Sequence, residues 1–184
     1  MDTFTIDPTL YEGRPAADAD RASVERACYD LLDRLEIPYQ RVDHSETPSI
    51  EACGAVEQVL GIEICKNLFL CNRQKTQFTL LLMPGRKAFH TKELSAQLGC
   101  SRLSFAGEDA MHELLGVTPG SVSVLGLMND TQNRVRLVID RDALAHPYFG
   151  CHPCRNTTSL RLRTEDLIGR ILPALHHEPV YVCL

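Results

Sequence analysis

Lys66 is the first residue in this sequence whose type and position could serve chemistry. It opens the apolar run K-N-L-F-L, which has the composition of a buried strand. A rigid strand could hold the lysine ammonium against a phosphate or a carbonyl oxygen. A solvated lysine at the end of a strand is the simpler interpretation, and the spacing alone does not decide between the two.

The segment V-T-P-G-S-V-S, residues 117–123, is a second candidate because it combines a sharp turn with polar backbone. Pro119 and Gly120 favour a type II turn, since proline presets its own φ and glycine tolerates a positive one. The backbone amides beyond this turn could donate hydrogen bonds to a developing oxyanion. These amides belong to Gly120, Ser121, Val122 and Ser123.

The segment C-H-P-C-R-N, residues 151–156, allows more than one interpretation. Its C-x-x-C spacing resembles half of a zinc site, but a structural site needs a second ligand pair, and Cys65 and Cys71 are poorly spaced to supply one. Neighbouring residues of an extended chain point to opposite faces, so Cys151 and His152 are badly placed to act as nucleophile and base. We therefore interpret His152 as a positioning hydrogen-bond donor.

The charge of the chain limits how it could contact nucleic acid. A formal net charge of -5 argues against a broadly basic binding surface, but it allows a local basic patch. Each basic residue taken alone is more simply a solvated charge, whereas several on one rim would form a track for RNA. The candidate phosphate contacts are Arg73, Lys75, Lys87, Lys92, Arg155, Arg161 and Arg163.

The composition predicts one globular domain that resides in the cytoplasm. The 184 residues are 44% hydrophobic, and no apolar run approaches the roughly 20 residues that a membrane span needs. The N-terminus lacks the apolar core of a secretory signal, and the eight cysteines are expected to be unpaired thiols in a reducing compartment. We predict an irregular lead-in over residues 1–19 and a single domain over 20–184.

Apolar periodicity and capping residues predict a mixed α+β fold. Helices are expected from Asp20 to Pro38, from Thr47 and Pro48 to Gly61, from Thr91 to Gly99, over 108–115, and from Thr164 onwards. Strands are expected over 39–42, 66–71, 77–83, 102–105, 122–128, 135–140, 157–162 and 180–183. Short polar connections predict two hairpins, one joining 66–71 to 77–83 and the other joining 122–128 to 135–140.

Four blocks of sequence resemble the YbaK/ProX family of free-standing aminoacyl-tRNA editing domains. They are K-N-L-F-L from Lys66, the run over 103–123, G-L-M-N-D followed by V-R-L-V-I-D, and H-P-C-R-N-T-T-S from His152. They occur in the family's order from about residue 25 to the C-terminus, and they are also similar to the editing domain inserted in bacterial prolyl-tRNA synthetases. Within the family the resemblance is greatest to the ProX branch, which removes alanine mischarged onto proline tRNA.

The resemblance implies a curved mixed sheet wrapped by helices, with no metal, cofactor or covalent intermediate. It implies that Lys66 holds the 3′ end of the tRNA and that residues 120–123 form the catalytic loop. The family's loop ends in proline where this chain has Val124, and we expect that change to leave the loop more flexible. Substrate contacts are predicted for Asn67, Gly116, Pro119, Asn129, His152 and Asn156, and tRNA contacts for Arg73, Lys75 and Arg155.

The resulting prediction is a deacylase that hydrolyses the ester of mischarged tRNA(Pro), with alanine as its amino acid. One alternative is a deacylase for another small amino acid, cysteine or serine, since sequence does not give the pocket volume. The other alternative is a non-catalytic tRNA-binding or regulatory module of the same fold. The predicted partner is the aminoacylated end of tRNA, with prolyl-tRNA synthetase as a further candidate, and neither a membrane nor DNA is expected.

Overall fold

A computed structural model describes residues 4–46 and 50–184 of the chain, and it arranges their strands in two sheets. The first sheet has four antiparallel strands in the order β1-β2-β8-β7. These strands are β1 (Tyr11–Glu12), β2 (Tyr39–Asp43), β7 (Tyr148–Cys151) and β8 (Thr158–Arg163). The segment predicted as an irregular lead-in thus contributes β1, which pairs with β2 at the edge of this sheet.

The second sheet has five strands in the order β5-β3-β4-β6-β9. They are β3 (Lys66–Cys71), β4 (Phe78–Met83), β5 (Ser104–Phe105), β6 (Val135–Asp140) and β9 (Val180–Val182). β3 is antiparallel to β4 and β5, whereas β6 is parallel to both β4 and β9, so this sheet is mixed. The mixed α+β class is confirmed, with two sheets in place of the single curved sheet that we expected.

Four helices and a C-terminal helical segment accompany the sheets in the described ranges. They are α1 (Ser23–Arg34), α2 (Ile50–Leu60), α3 (Thr91–Leu98), α4 (Glu108–Leu115) and the segment 164–174, which is π-helical over Leu167–Ile171. α3 and α4 end at Gly99 and Gly116, whose positive φ angles form the left-handed C-caps that the sequence predicts. The predicted cap at Thr47 and Pro48 lies outside the described residues. Within those residues, no helix is long and apolar enough to cross a membrane.

The apolar run of β4 is buried on both of its faces. Leu80 and Leu82 belong to the main core, which also receives residues from α1, α4 and the four-stranded sheet. Leu81 and Met83 face the opposite way into a second cluster that includes Leu94 of α3. Both faces of the strand are therefore covered, which explains a continuous apolar sequence without polar alternation.

The two sheets meet where β3 begins and β7 ends, and this junction positions the candidate site. Ile64 forms an isolated bridge with Gly150, and the amide of Cys65 donates to the Gly150 carbonyl at 3.0 Å. A Cβ at Gly150 would lie 3.0 Å from the Ile64 backbone, tighter than most Cβ contacts, so glycine favours this close approach. Lys66 and His152 each lie two residues beyond this bridge in the sequence, and both line the same cleft.

The predicted hairpin of 122–128 with 135–140 is wrong. Val124–Asn129 forms a 3-10 helix, and β6 pairs in parallel with β4 and β9. Ser123 starts that helix by accepting a hydrogen bond from the amide of Leu125, and Gly126 allows close packing against Leu115 of α4. A short buried apolar run does not distinguish a strand from a helix by periodicity, and this one is helical. The sequence interpretation also missed β7.

Candidate active site

A cleft of about 850 Å³ lies beside the junction of the two sheets. It brings together parts of all three segments that the sequence singles out, namely the start of β3, the turn after α4 and the residue that follows β7. Its polar and backbone lining includes Lys66, Asn67, Gly120, Val122 and His152. Residues that are distant in sequence therefore share one cavity, as a site for a small ligand requires.

Lys66 lies in the wall of this cleft with its side chain half-buried. Its Nζ donates a hydrogen bond to the carbonyl oxygen of Lys87. Burial lowers the pKa of Lys66, and the nearby carboxylate of Glu63 opposes part of that effect. A lysine ammonium carries three N–H donors, so two remain for a ligand in the cleft.

The turn between α4 and the loop has the predicted type II geometry. The amide of Ser121 donates to the carbonyl of Thr118 at 3.0 Å, and Gly120 has a φ of 83°. The Ser121 amide is consumed by this bond and is not available to a substrate. The amides of Gly120 and Val122 have no hydrogen-bond partner within the described residues. Of the four predicted oxyanion donors, Gly120 and Val122 are the two that line the cleft.

Ser123 and Val124 hold the C-terminal end of the loop 120–123 against the buried core. The Ser123 hydroxyl is fully buried and donates to the carbonyl oxygen of His152 at 2.6 Å. Val124 is fully buried in the main core. Packing and hydrogen bonding therefore hold this end of the loop without a proline, and the greater flexibility expected from Val124 stays a prediction.

His152 presents one ring nitrogen to the cleft and uses the other internally. Its Nδ1 lies 3.0 Å from the carbonyl oxygen of Thr158, which can only accept, so Nδ1 carries the proton. Burial lowers the pKa of His152, and neighbouring His44 lowers it further. A neutral ring with its proton on Nδ1 could accept a hydrogen bond at Nε2, and the positioning role expected for His152 from the sequence stays a prediction.

The two predicted substrate-binding asparagines on either side of the cleft junction, Asn156 and Asn67, make different contacts. The backbone amide of Asn156 donates to the Ser121 hydroxyl at 3.2 Å, which ties the H-P-C-R-N segment to the turn. Asn67 lines the cleft, and its buried Oδ1 has no hydrogen-bond partner in the described parts of the chain. A buried acceptor without a partner is uncommon, and a bound hydroxyl or ammonium could supply the missing donor.

Gly116, Pro119 and Asn129 do not line the cleft. The Asn129 side chain donates to the carbonyl of Leu115 at 2.8 Å, and a Cβ at Gly116 would lie 2.9 Å from the same amide nitrogen. Gly116 and Asn129 therefore cap α4, while Pro119 is exposed within the turn. Their predicted contact with substrate stays a prediction, and the structure gives each of them a local structural role.

Arg73 and Lys75 lie at the tip of the β3–β4 hairpin, at the far end of β3 from Lys66. Five strand steps separate the two ends of β3, which is about 17 Å at about 3.3 Å per residue. Arg155 is half-buried beside Asn156 and does not line the cleft. The tRNA contacts predicted for these three basic residues stay predictions.

The remaining candidate cations already have protein partners. Lys87 pairs with Asp140 and Asp142 at 2.7 and 2.6 Å. Arg161 donates to the carbonyl of Leu60 and packs on a tyrosine ring, and Arg163 pairs with two carboxylates of the C-terminal helical segment. Only Lys92 among these candidates is exposed without an ion pair in the described structure.

Two buried cysteines, Cys65 and Cys151, lack the properties of nucleophiles. Burial raises the pKa of Cys65, which lines the cleft, to about 12, and it also raises the pKa of fully buried Cys151. Both side chains are therefore neutral thiols near neutral pH. Within residues 4–46 and 50–184, no group of three or more His, Cys, Asp or Glu side chains is arranged to hold a metal ion. The zinc alternative gains no support.

Sequence reasoning did not identify the walls of the cleft. Phe105 and Met111 line it, and Arg86 forms an ion pair with Glu57 at 2.7 Å near its mouth. An apolar residue such as Met111 on an amphipathic helix is indistinguishable in sequence from a core residue. The buried Oδ1 of Asn67, without a partner among the described residues, is likewise visible only in the structure.

Comparison with known proteins places the chain in a family. The family model for the aminoacyl-tRNA editing domain matches residues 44–169. The chain is 32% identical over 143 residues to the prolyl-tRNA editing protein ProX of Acetoanaerobium sticklandii, covering 78% of this chain and 87% of that protein. It is 31% identical over 182 residues to the prolyl-tRNA synthetase associated domain-containing protein 1 of Danio rerio, covering 98% and 97%.

Solved structures support the same assignment at the level of the fold. One is described as a candidate trans-editing enzyme for prolyl tRNA synthetase and superposes with a TM-score of 0.64 at 16% identity, covering 89% of this chain and 98% of that one. The matched range 44–169 contains Lys66, the loop 120–123 and His152. The chain belongs to the aminoacyl-tRNA editing domain family.

Proposed function

We propose that this chain is a deacylase that hydrolyses the ester of mischarged tRNA(Pro), with alanine as the amino acid removed. The observation that carries the proposal is the single cleft that joins Lys66, His152 and the unpaired amides of Gly120 and Val122. The names of two relatives, a prolyl-tRNA editing protein and a prolyl-tRNA synthetase associated protein, support the choice of proline tRNA.

The proposed reaction is attack of water on an ester that is already activated. The water oxygen forms a bond to the carbonyl carbon, the bond to the ribose oxygen breaks, and a proton from the water passes to that ribose oxygen. An activated ester needs positioning and stabilisation of the oxyanion more than it needs a strong nucleophile. This requirement suits a cleft in which burial keeps the Cys65 thiol neutral.

Each polar group of the cleft has a role in this proposal. The ammonium of Lys66 holds the terminal ribose or phosphate of the tRNA, and the amides of Gly120 and Val122 donate to the ester oxygen. The Nε2 of His152 accepts from the attacking water and orients it. The Oδ1 of Asn67 accepts from the α-ammonium or from a ribose hydroxyl, which would satisfy its missing hydrogen bond.

Selection of alanine is proposed to depend on the size of the pocket. A synthetase site that fits proline excludes alanine poorly, because a methylene or two is worth only about 1–3 kcal/mol. Met111 and Val122, which line the cleft, are the apolar side chains proposed to contact the alanine methyl group and to disfavour the larger proline ring. The chain would then act as a second sieve on tRNA that the synthetase has released.

The test is a panel of proline tRNAs charged separately with alanine, serine, cysteine and proline. The proposal expects rapid hydrolysis of the alanyl ester and slow hydrolysis of the prolyl ester. Preference for cysteine or serine would keep the enzyme class and replace the substrate. Binding of charged tRNA without turnover would favour the non-catalytic alternative, whose main support is the replacement of the family's loop proline by Val124.

A further inference from the structure

A shallow groove of about 520 Å³ continues from the cleft past Lys66. Lys66, Leu68 and Phe105 border both cavities, so a ligand could pass from one to the other without leaving the surface. None of the seven described residues that line the groove is acidic. The groove therefore differs from the mouth of the cleft, where Glu57 neutralises Arg86.

Phe105 presents an aromatic face beside this groove. Its side chain is 62% exposed, although the residue is fixed at the edge of the five-stranded sheet. It pairs with Leu70 of β3, and its ring meets that of Phe89 edge to face at 6.3 Å. A single exposed apolar side chain is ordinary, but a rigid one at the exit of the candidate site has a position that a ligand could use.

Two lysines give the groove a positive character. Lys92 and His90 are exposed at its rim, and Lys66 stands at its inner end. Lys92 makes no ion pair with any described residue, unlike Arg86 and Lys87. Unpaired cations beside an aromatic face are the combination with which proteins bind single-stranded nucleic acid, since cations attract phosphates and aromatic rings stack on bases.

We propose that this groove binds the single-stranded 3′ end of the tRNA, with the base before the terminal adenosine stacked on Phe105 and its phosphate beside Lys92. This inference rests on the proposed function, because it follows the RNA outward from an aminoacyl ester held in the cleft. The bases of single-stranded RNA ends are available for stacking on aromatic side chains. Phe105 is thus a binding residue for the RNA strand.

The first test compares two substrates of Phe105→Ala. Alanyl-tRNA(Pro) carries the preceding nucleotides, whereas alanyl-adenosine lacks them. The ratio of kcat/KM for the tRNA to kcat/KM for alanyl-adenosine is expected to fall about 10-fold, the usual size of one lost stacking contact. Phe105→Tyr retains an aromatic face and should restore most of the ratio.

Tyr181 offers a matched control for Phe105. It is an aromatic residue, 36% exposed, on the opposite edge strand of the same sheet. Tyr181→Ala should leave the ratio unchanged. Equal losses by Phe105→Ala on both substrates, or no loss on either, would overturn the proposal. Concentration-dependent association of the wild type that Phe105→Ala abolishes, with the ratio unchanged, would assign the face to self-association instead.

The second test measures binding without hydrolysis. Uncharged tRNA(Pro) carrying 2-aminopurine in place of the base before the terminal adenosine should lose fluorescence on binding wild type, and Phe105→Ala should abolish that quenching. Lys92→Ala should lower the slope of log affinity against log salt by about 0.7, the value for one phosphate contact on a single strand. Quenching together with failure to hydrolyse any charged tRNA would reject the proposed function and keep the RNA groove. Hydrolysis without quenching would reject the groove alone.

Discussion

Two regions of the molecule differ in how fully their polar groups are hydrogen-bonded. One is the lining of the cleft, here called the cleft side, and the other is the buried surroundings of Asp130, here called the rear side. On the cleft side, the amides of Gly120 and Val122 and the Oδ1 of Asn67 have no partner in the described ranges. On the rear side, the buried carboxylate of Asp130 accepts from the amides of Arg134 and Val135 and contacts His177. Gly120 and Val122 lie within ten residues of Asp130 in the sequence, yet their amides have no described partner and the Asp130 carboxylate has three.

This difference separates residues that hold the frame from residues that meet a ligand. Buried polar groups in proteins are normally satisfied, so the buried Oδ1 of Asn67 indicates where a ligand could complete a bond, while exposed Gly120 and half-buried Val122 offer amides that a ligand could reach. Asn129 and Asp130 follow the loop closely in sequence, yet their bonds are internal. Membership of a family motif therefore does not by itself mean contact with substrate.

The largest expected effect on stability comes from Asp130→Ala. The substitution leaves two backbone amides and the ring of His177 without their acceptor, so the free energy of unfolding should fall by about 3 kcal/mol or more. Urea denaturation measures the change, and Asp130→Asn, which keeps one acceptor oxygen, should lose less. Deacylation per folded molecule should change little. Loss of deacylation with unchanged stability would move Asp130 to the cleft side of the comparison.

A smaller effect is expected from Gly116→Ala, for which Gly99→Ala is a matched control. Both glycines end a helix with similar positive φ, but a Cβ at Gly116 would lie 2.9 Å from the Asn129 amide, whereas a Cβ at Gly99 meets nothing within 4 Å. The control isolates the strain of positive φ, about 1 kcal/mol. Gly116→Ala should cost more because it also disturbs the cap. Equal losses of thermal stability in the two variants would show that the contact with Asn129 adds nothing to the stability of the α4 cap.

The smallest expected effect is the response of deacylation to mild acid. Burial holds the pKa of His152 below its ordinary 6.5, so the ring is neutral at neutral pH and gains a proton only under more acidic conditions. The protonated ring loses its Nε2 acceptor, so kcat/KM should fall at a pH below the ordinary histidine value of 6.5. His152→Gln should be slower at neutral pH and should lack this acidic fall. A variant profile identical in shape to wild type would assign the titration elsewhere.

The same pKa directions predict a fall in stability at low pH. His44 and His152 both have pKa values lowered chiefly by burial, so the unfolded chain binds protons more readily than the folded one. The free energy of unfolding should therefore decrease as the pH falls below the unfolded value of about 6.5. Chemical denaturation at pH 7.5 and pH 5.5 measures the difference, and a flat result would show that these rings stay solvated in the folded protein.

Local sequence signals predicted a large part of the fold. The bounds of β3 and α4, the left-handed caps at Gly99 and Gly116 and the type II turn all follow from residue types and short-range pattern. The sheet order did not follow, because the parallel pairing of β6 with β4 and β9 is a long-range contact. Residues 124–129 were misassigned because a short apolar run has no periodicity that separates a buried helix from a strand.

The candidate site was predicted in type better than in detail. Lys66, His152 and the turn glycine Gly120 line one cleft, and the family resemblance had selected all three. The resemblance did not indicate that the Ser121 amide donates a hydrogen bond within the turn, or that the Asn129 side chain caps α4. Such distinctions depend on which group each atom meets, and that information exists only after the chain has folded.

The most direct test of the central claim is hydrolysis of alanyl-tRNA(Pro) by wild type and by Lys66→Ala. Arg136→Ala, which removes an exposed cation from β6 of the same sheet, controls for the change in net charge. We expect wild type and Arg136→Ala to deacylate at similar rates. Lys66→Ala should lose about 100-fold in kcat/KM, comparable to removal of one preorganised oxyanion donor, with unchanged thermal stability. Inactive wild type, or a Lys66→Ala variant as active as wild type, would contradict the account.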